Sequence, residues 1–456
     1  MPLDLLLASY LIKGIAFITA VALVLRARPK PAPVWLIASA AVVFFAGLIW
    51  RLFSLLGFDY RIFWKVGCVI WAGRDPYGPD LFVIYPPTAL PLFALFALAP
   101  FEVSFCLWTV VNGLACLLLL PLARSALVAQ EQIVNRGSGV VNQQDTIHDP
   151  RITVPDWQLP PLVLVGLTPV LFLSDASLVS FYLGQLSIIE CVVLLASLRC
   201  QAKGWPVLAG IGLALATIKV ATMLPFLLLF LRKGDRRTWV ALPVTVLGLC
   251  LVTGSVSGLP NRLATILQRI KQVETPGSVN DYSFEGPRSE NILGFDHAFY
   301  RLGLRDRRLI RVAQYLALVV LGSWVARQVL RKDPLPRAAA CSLVALYSVV
   351  FLYHRTYDTL ILALPFVYSV GQARAVSGRS RYLFAGCALA ILLVWYLDIG
   401  LLRTLREHSL EWGGWGRLVQ AVVLPYATWL VVLTMIVLVV ATRRAAAASG
   451  PAASQE

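Results

Sequence analysis

Residues 206–237 read PVLAGIGLALATIKVATMLPFLLLFLRKGDRR. A single charge, Lys219, interrupts an apolar run that reaches Leu231, and the basic residues Arg232, Lys233, Arg236 and Arg237 close it. Such runs enter the roughly 30 Å hydrocarbon layer as helices, because a helix satisfies its own backbone polar groups. Basic residues beside helix ends are retained on the cytoplasmic side. The stretch therefore reads as two short limbs, Val207–Ile218 and Thr222–Leu231, joined as a hairpin with Lys219 at its outer tip.

Composition extends this reading to the whole chain. Of 456 residues, 58% are hydrophobic and 14% charged, against roughly 25% charged in a soluble globular protein. Apolar runs recur from end to end with short polar connections. The fold class is thus all-α, a polytopic membrane helix bundle, with residues 1–444 as one transmembrane domain rather than several soluble ones. The net charge of +16 lies beside helix ends, and no soluble basic domain is present to bind nucleic acid. The run Leu5–Leu25 lacks a basic leader and contains Lys13, so it reads as a retained helix and not a cleaved signal. Of the eight cysteines, only Cys68 falls in a probable loop, and without a CxxC pair neither a disulfide framework nor a metal site is indicated.

Five basic clusters are assigned to the cytoplasm: Arg26-Arg28-Lys30, the Arg232 cluster, Arg331-Lys332-Arg337, Arg374-Arg379-Arg381 and Arg443-Arg444. Leu5–Leu25 and Val34–Trp50 then place a first outer loop at about 51–100. Leu107–Leu120 enters and leads to a polar inner loop, Arg124–Gln158. Leu162–Leu173 and Ile188–Leu198 go out and back, followed by the hairpin, Val240–Val256, and a long outer loop at about 260–308. Leu316–Val329, Ala338–Leu352, Leu360–Val370, Leu383–Leu397 and Val419–Val440 complete about thirteen crossings. Thr88–Ala99 would invert the parity and is assigned to an interfacial or re-entrant helix, one of an interfacial pair in the first outer loop. The small, polar tail 445–456 is expected to be disordered and cytoplasmic.

The residues that carry chemistry share the outer face. Asp59 opens FDYRIFWKVGCVIW, whose Phe63, Val66, Ile70 and Trp71 have the spacing of an amphipathic surface helix. It is either a simple N-cap or a carboxylate placed where helix, loop and lipid meet. Lys219 is either a functional cation in an apolar span or a snorkelling side chain; at an outer tip, an anion such as a lipid phosphate would satisfy it. Tyr353-His354-Arg355-Thr356-Tyr357-Asp358 offers cationic donors beside phenols, suited to an anionic headgroup, or else a solvated cap in which Arg355 pairs with Asp358. Gly184-Gln185 lies at another outer turn, and Asn291 lies in SENILG of the long loop. No nucleotide-binding glycine loop, HExxH or GxSxG is present, and His148, His297, His354 and His408 are scattered. An outer-face carboxylate with outer-face cations suits activating a hydroxyl while a phosphate departs.

The stretches FDYRIFW…AGRDPYGPDLFVIYPPTALPL, LGQLSIIECVVLLAS, LAGIGLALATIKVATMLPFLLLF-LRKGDRR and the late YHRTYD, in this order, resemble the family-87 glycosyltransferases of the GT-C superfamily. The similarity runs from about residue 50 to 370, and the resemblance is to polyprenyl-phosphate-mannose-dependent α-mannosyltransferases. Val220 stands where that family usually has proline. The resemblance implies a GT-C-like bundle with Asp59 as general base, and with Lys219, His354 and Arg355 near the phosphate of a polyprenyl-phosphate-sugar donor. The donor carries a hexose such as mannose, or a pentose, and the acceptor is a lipid or glycan. Transfer would be a single inverting displacement at the outer face of a bacterial plasma membrane, needing neither cofactor nor metal. Tyr85 would stack on sugar or polyprenyl, or simply pack; Gln185, Asn291 and Tyr357 are further candidate contacts. Two other readings are a lipid or solute transporter, which predicts paired polar residues near the bilayer midplane, and an inactive scaffold of the same fold.

Overall fold

The computed structural model describes residues 3–25, 57–79, 81–137, 159–232, 235–252, 258–287, 289–331, 333–397, 399–409 and 411–448. The expected crossing Val34–Trp50, the cluster Arg26-Arg28-Lys30, Lys233, Lys332 and residues 138–158 lie outside them. Among the described residues, apart from one pair of two-residue strands, the regular structure is helical.

Helix α1 (Leu3–Leu25) is followed by α2 (Phe58–Trp71) and α3 (Leu90–Phe96). Trp64 donates to Ala99 O at 3.0 Å and Trp71 to Ala94 O at 2.8 Å, so α2 and the 90–99 segment run antiparallel. Gly67 permits this approach, because a Cβ there would lie 2.0 Å from Phe93 O. At 1.5 Å per residue, seven-residue α3 is about 10 Å long, too short to cross, as expected for Thr88–Ala99. Cys68, expected in a loop, lies within α2. Trp71, expected on the apolar face, is exposed, while Tyr60, Phe63 and Val66 are buried.

Helix α4 (Phe101–Gly137) continues past Leu120 through Pro121, so residues 124–137, expected in a loop, are helical. Helix α5 (Pro161–Phe172) is bent by 55° against α6 (Asp175–Leu183). Ser174 caps α6 by accepting from Ser177 N, and Asp175 pairs with Lys13 of α1. Next come α7 (Ser187–Ala202), α8 (Pro206–Ala216) and a helical limb over 220–232, and then α9 (Arg236–Val252).

The stretch Pro206–Arg232 is 27 residues long and would extend about 40 Å if straight. Yet Thr238, shortly after Arg232, donates to Pro206 O at 3.0 Å. The chain therefore doubles back, and the break falls at Lys219, whose φ of −125° and ψ of 83° leave the helical region. Arg232 donates to Leu335 O, Arg337 to Gln130, and Gln130 to Leu198 O and Gln201, so both limbs open on one end of the bundle. Lys219 and Ser187 meet at the other end.

Helix α10 (Leu259–Val273) lies against the 57–100 region, where Arg269 donates to the carbonyls of Tyr77, Gly78 and Val83. Strand β1 (Ile292–Leu293) pairs antiparallel with β2 (His354–Arg355), Ile292 opposite Arg355. Around them stand α11 (Phe295–Arg301), α12 (Arg307–Leu330), the fully buried α13 (Arg337–Val350), α14 (Ala363–Ala375), α15 (Gly378–Tyr396), α16 (Ile399–Ser409) and α17 (Tyr426–Ala448). Since α17 reaches Ala448, the expected disordered tail is helical at its start.

Among the described residues, five helical stretches are long and apolar enough to cross a membrane by length and composition, the hairpin Pro206–Arg232 counted as one of them, or six if the bent α5–α6 pair counts as one span. Their outward stripes, such as Leu107, Val110, Val111, Leu114 and Leu118 on α4, are exposed. Apolar surface of that extent fits lipid rather than water. The chain is an all-helical integral membrane protein; a count of thirteen crossings goes beyond these five or six. If the hairpin is correct, single cysteines replacing Lys203 and Arg236 in a cysteine-free background will react with a membrane-impermeant maleimide from the same side. A cysteine replacing Thr275 will react from the opposite side. Labelling of positions 203 and 236 from opposite faces would rule the hairpin out.

Candidate active site

Asp59 is the second residue of α2, and the N-cap is Gly57, which makes no side-chain cap bond. The simple-cap reading therefore fails: the Asp59 carboxylate accepts from Gln185 Nε2 instead. Gln185 reaches it because Gly184 ends α6 in the left-handed region, with φ 70°. A side chain at 184 would be strained there, and its Cβ would lie 2.6 Å from Tyr60 Cβ. Trp108 donates to Gly184 O at 3.1 Å. Next to Asp59, Tyr60 is enclosed by Phe96, Phe105 and Trp108, and its hydroxyl lies 2.5 Å from Ser104 Oγ. Asp59 thus stands on a rigid aromatic base, itself half-buried.

A second cluster forms around Asp358. Lys219 Nζ lies 2.5 Å from Asp358 Oδ1 and donates to Ser187 Oγ at 2.6 Å; Ser187 in turn donates to Asp358 Oδ1 at 2.8 Å. The Lys219 ammonium also sits 4.6 Å from the centre of the Tyr357 ring, a cation–π contact. On its other oxygen, Asp358 accepts from the Arg355 backbone N–H at 3.1 Å and faces His354 Nδ1 at 3.5 Å. Burial alone would raise the Asp358 pKa, but Lys219 and His354 outweigh it and hold the carboxyl below its ordinary value. His354 is 2% exposed and its Nε2 has no hydrogen-bond partner among the described residues.

The expected side-chain pairing of Arg355 with Asp358 does not occur. The Arg355 guanidinium turns the other way, to Tyr353 Oη at 2.6 Å, Val279 O at 2.7 Å and Asn280 Oδ1 at 2.8 Å. Leu352, at φ 63°, turns the chain out of α13 into this segment, a conformation costing a branched L-residue about 1–2 kcal/mol. That strain sits directly before the site, as strained backbone often does.

Between the two clusters and α16 lies a pocket of about 190 Å³, lined by Asn291, Arg355, Tyr357 and Arg403 with Tyr182 and Leu183 as wall. Asn291 reaches it because β1 pairs with β2. Tyr85 packs edge-on against Phe63 and Phe93. Burial raises its pKa well above the ordinary phenol value, with Lys219 opposing, so it faces the site as a neutral phenol.

All eight candidate residues gather at one end of the bundle, but in different roles. Asp59 and Gln185 bond directly, Lys219 and His354 meet through Asp358, and Arg355, Tyr357 and Asn291 share the pocket. Lys219, expected to await an external anion, is already ion-paired. Sequence reasoning missed Ser187, Arg403 and Glu190, a carboxyl on α7 that is 3% exposed and lies within electrostatic reach of Lys219 and Asp358, and weighed Asp358 only as a partner for Arg355. The available signal was Glu190 and Asp358, two further carboxylates in apolar surroundings; Ser187 carried none. Among the described residues no group of three or more His, Cys, Asp or Glu could hold a metal ion.

Residues 82–352 match the sequence model of a family described as Glycosyltransferase family 87, more than half of the 456 residues. The match covers Tyr85, Gln185, Lys219 and Asn291, while Asp59 and the 353–358 segment flank it. No curated protein matches the chain.

Replacing Asp358 with Asn strands a buried ammonium, and loss of one partner of such a pair costs roughly 3–5 kcal/mol. A fall in the thermal unfolding midpoint is expected, with most of it recovered when Lys219→Met is added; equal losses in both variants would contradict the pairing. A depressed carboxyl contributes stability that is full above its unfolded pKa of about 4 and is lost only as pH falls through the lower folded value. The carboxylate's own share of the midpoint difference between Asp358→Asn and wild type should therefore be full above about pH 5 and shrink only in more acid solution.

Proposed function

The chain belongs to glycosyltransferase family 87 and is a membrane glycosyltransferase, and on that premise we propose that it uses a polyprenyl-phosphate-sugar donor. The transferred sugar is a hexose, mannose first among them, or a pentose, and it passes to a lipid or glycan acceptor. The observation that carries this reading is the Asp59–Gln185 pair standing at the same end of the bundle as the Lys219–Asp358–His354 cluster.

Asp59 is the general base. Gln185 orients its carboxylate by donating to it, and the carboxylate takes the proton of an acceptor hydroxyl as that oxygen attacks the anomeric carbon. The C–O bond to the donor phosphate breaks on the opposite side, so the anomeric centre inverts. Negative charge develops on the leaving phosphate, and preorganised donors in a water-poor site lower its energy. His354 supplies one: Nδ1 faces Asp358, and Nε2 remains to meet a phosphate oxygen. Arg355 adds positive potential, and Lys219, neutralised by Asp358, holds the cluster together.

Sidedness is supported by charge. Arg232, Arg337 and Arg443 converge at the end remote from Asp59 through Leu335, Gln130 and Gln328. By the positive-inside rule that end is cytoplasmic and the site is outside, as in a bacterial plasma membrane. About thirteen passes remain part of this proposal.

The test is incubation of the purified protein with labelled polyprenyl-phosphate sugars and extracted membrane lipids. Wild type should form glycosylated product, and Asp59→Asn should lower the rate about 10²–10⁴-fold with the unfolding midpoint unchanged. Undiminished transfer by that variant would remove Asp59 as the base.

A further inference from the structure

Among the described residues, the arginines beside the pocket outnumber the carboxylates they bond. Glu290, whose side chain is fully buried, receives two arginines: Arg403 Nε at 3.0 Å on one oxygen and Arg406 Nη1 at 2.9 Å on the other. Arg406 also donates to Gly286 O and Ser289 Oγ. Arg301, 3% exposed, makes its hydrogen bonds to neutral groups, donating from Nε to His297 Nε2 at 3.1 Å and from Nη2 to Ser289 Oγ at 2.9 Å. Its Nη1 has no hydrogen-bond partner among the described residues. One carboxylate thus stands against three guanidinium groups in this network. A fourth, Arg355, makes its hydrogen bonds to a phenol, a carbonyl and an amide.

Two of the four, Arg355 and Arg403, line the pocket together with Asn291, whose Oδ1 is buried without a hydrogen-bond partner among the described residues. They differ in freedom. Arg355 is 7% exposed and held on three acceptors. Arg403, on α16, has a side chain 47% exposed and a single bond to Glu290. An ion pair that open to solvent is a weak tie, and Glu290 keeps Arg406 if Arg403 leaves. A guanidinium so placed can turn its planar fork to the paired oxygens of a phosphate or carboxylate.

We infer that the pocket bounded by Asn291, Arg355, Tyr357 and Arg403 is the acceptor subsite, and that it selects an acceptor bearing a phosphate or carboxylate, which Arg403 binds. The inference rests on the transferase reading for the word acceptor. The pocket's wall, Tyr182 and Leu183, runs directly into Gly184 and Gln185, which holds Asp59, so a molecule seated there brings its hydroxyl to the base. Arg403 is then a specificity-determining contact outside the bond-making step.

The experiment measures binding to the full-length protein in detergent, using a hexose 6-phosphate and the unphosphorylated hexose as probes. Wild type should prefer the phosphate at least about tenfold, Arg403→Gln should reduce that preference to within about twofold, and Arg403→Lys should retain part of it. Arg305→Gln, an exposed arginine on the same side, should change nothing. Unfolding midpoints of the variants establish that they are folded. No preference in wild type, or an unchanged preference in Arg403→Gln, overturns the inference. So does displacement of the sugar phosphate by a polyprenyl phosphate, which would assign the anion to the donor. Arg403-dependent binding without any transfer would instead remove the transferase reading and leave the anion subsite standing.

Discussion

The site depends on the buried pairing of Lys219 with Asp358. An ammonium in an apolar span costs about 3 kcal/mol or more if left alone. Here a carboxylate, a serine hydroxyl and a phenol ring receive it. The pair joins three distant stretches: the start of α7 through Ser187, the tip of the hairpin through Lys219, and the segment after α13 through Asp358. Because the chain leaves helical geometry at Lys219, the same residue marks the reversal and anchors it. With the hairpin tip held, β2 and the 3-10 turn after it are fixed, and β2 in turn carries β1 and Asn291 to the pocket.

Asp59 is held by a separate device, an aromatic box around Tyr60 and a left-handed glycine that aims Gln185. The two halves have different electrostatic character. The Lys219 half is internally neutralised, so it adds shape and a fixed dipole more than net charge, while His354 Nε2 has no hydrogen-bond partner among the described residues. A displacement at carbon needs this separation: a base on the side of the entering hydroxyl, and positive potential where the phosphate departs. A lone mobile lysine beside a carboxylate base would pair with it and quench both.

Much of the architecture was legible in the sequence. Long apolar runs, the reversal at Lys219 and the short segment after the YPP turn follow from length and charge alone. The ends of α4 and α17 did not, since helix continues into polar sequence wherever caps and neighbours permit, and periodicity carries no stop signal at Arg124 or Ala445. Within the site, Asp59, Lys219 and His354 stood out because charge in apolar surroundings is rare. Ser187 could not, because a serine at a helix start has the same appearance whether it caps the helix or bonds a carboxylate 171 residues away. The turn of Arg355 away from Asp358 was equally hidden, since it depends on Asn280 and Val279 approaching from another part of the chain.

The central claim is that transfer occurs by one displacement with Asp59 as base, and product stereochemistry tests it most directly. The anomeric configuration of the transferred sugar, read by NMR coupling constants against a donor of known configuration, should be inverted. Retained configuration would require a covalent intermediate or a front-side attack and would contradict the account.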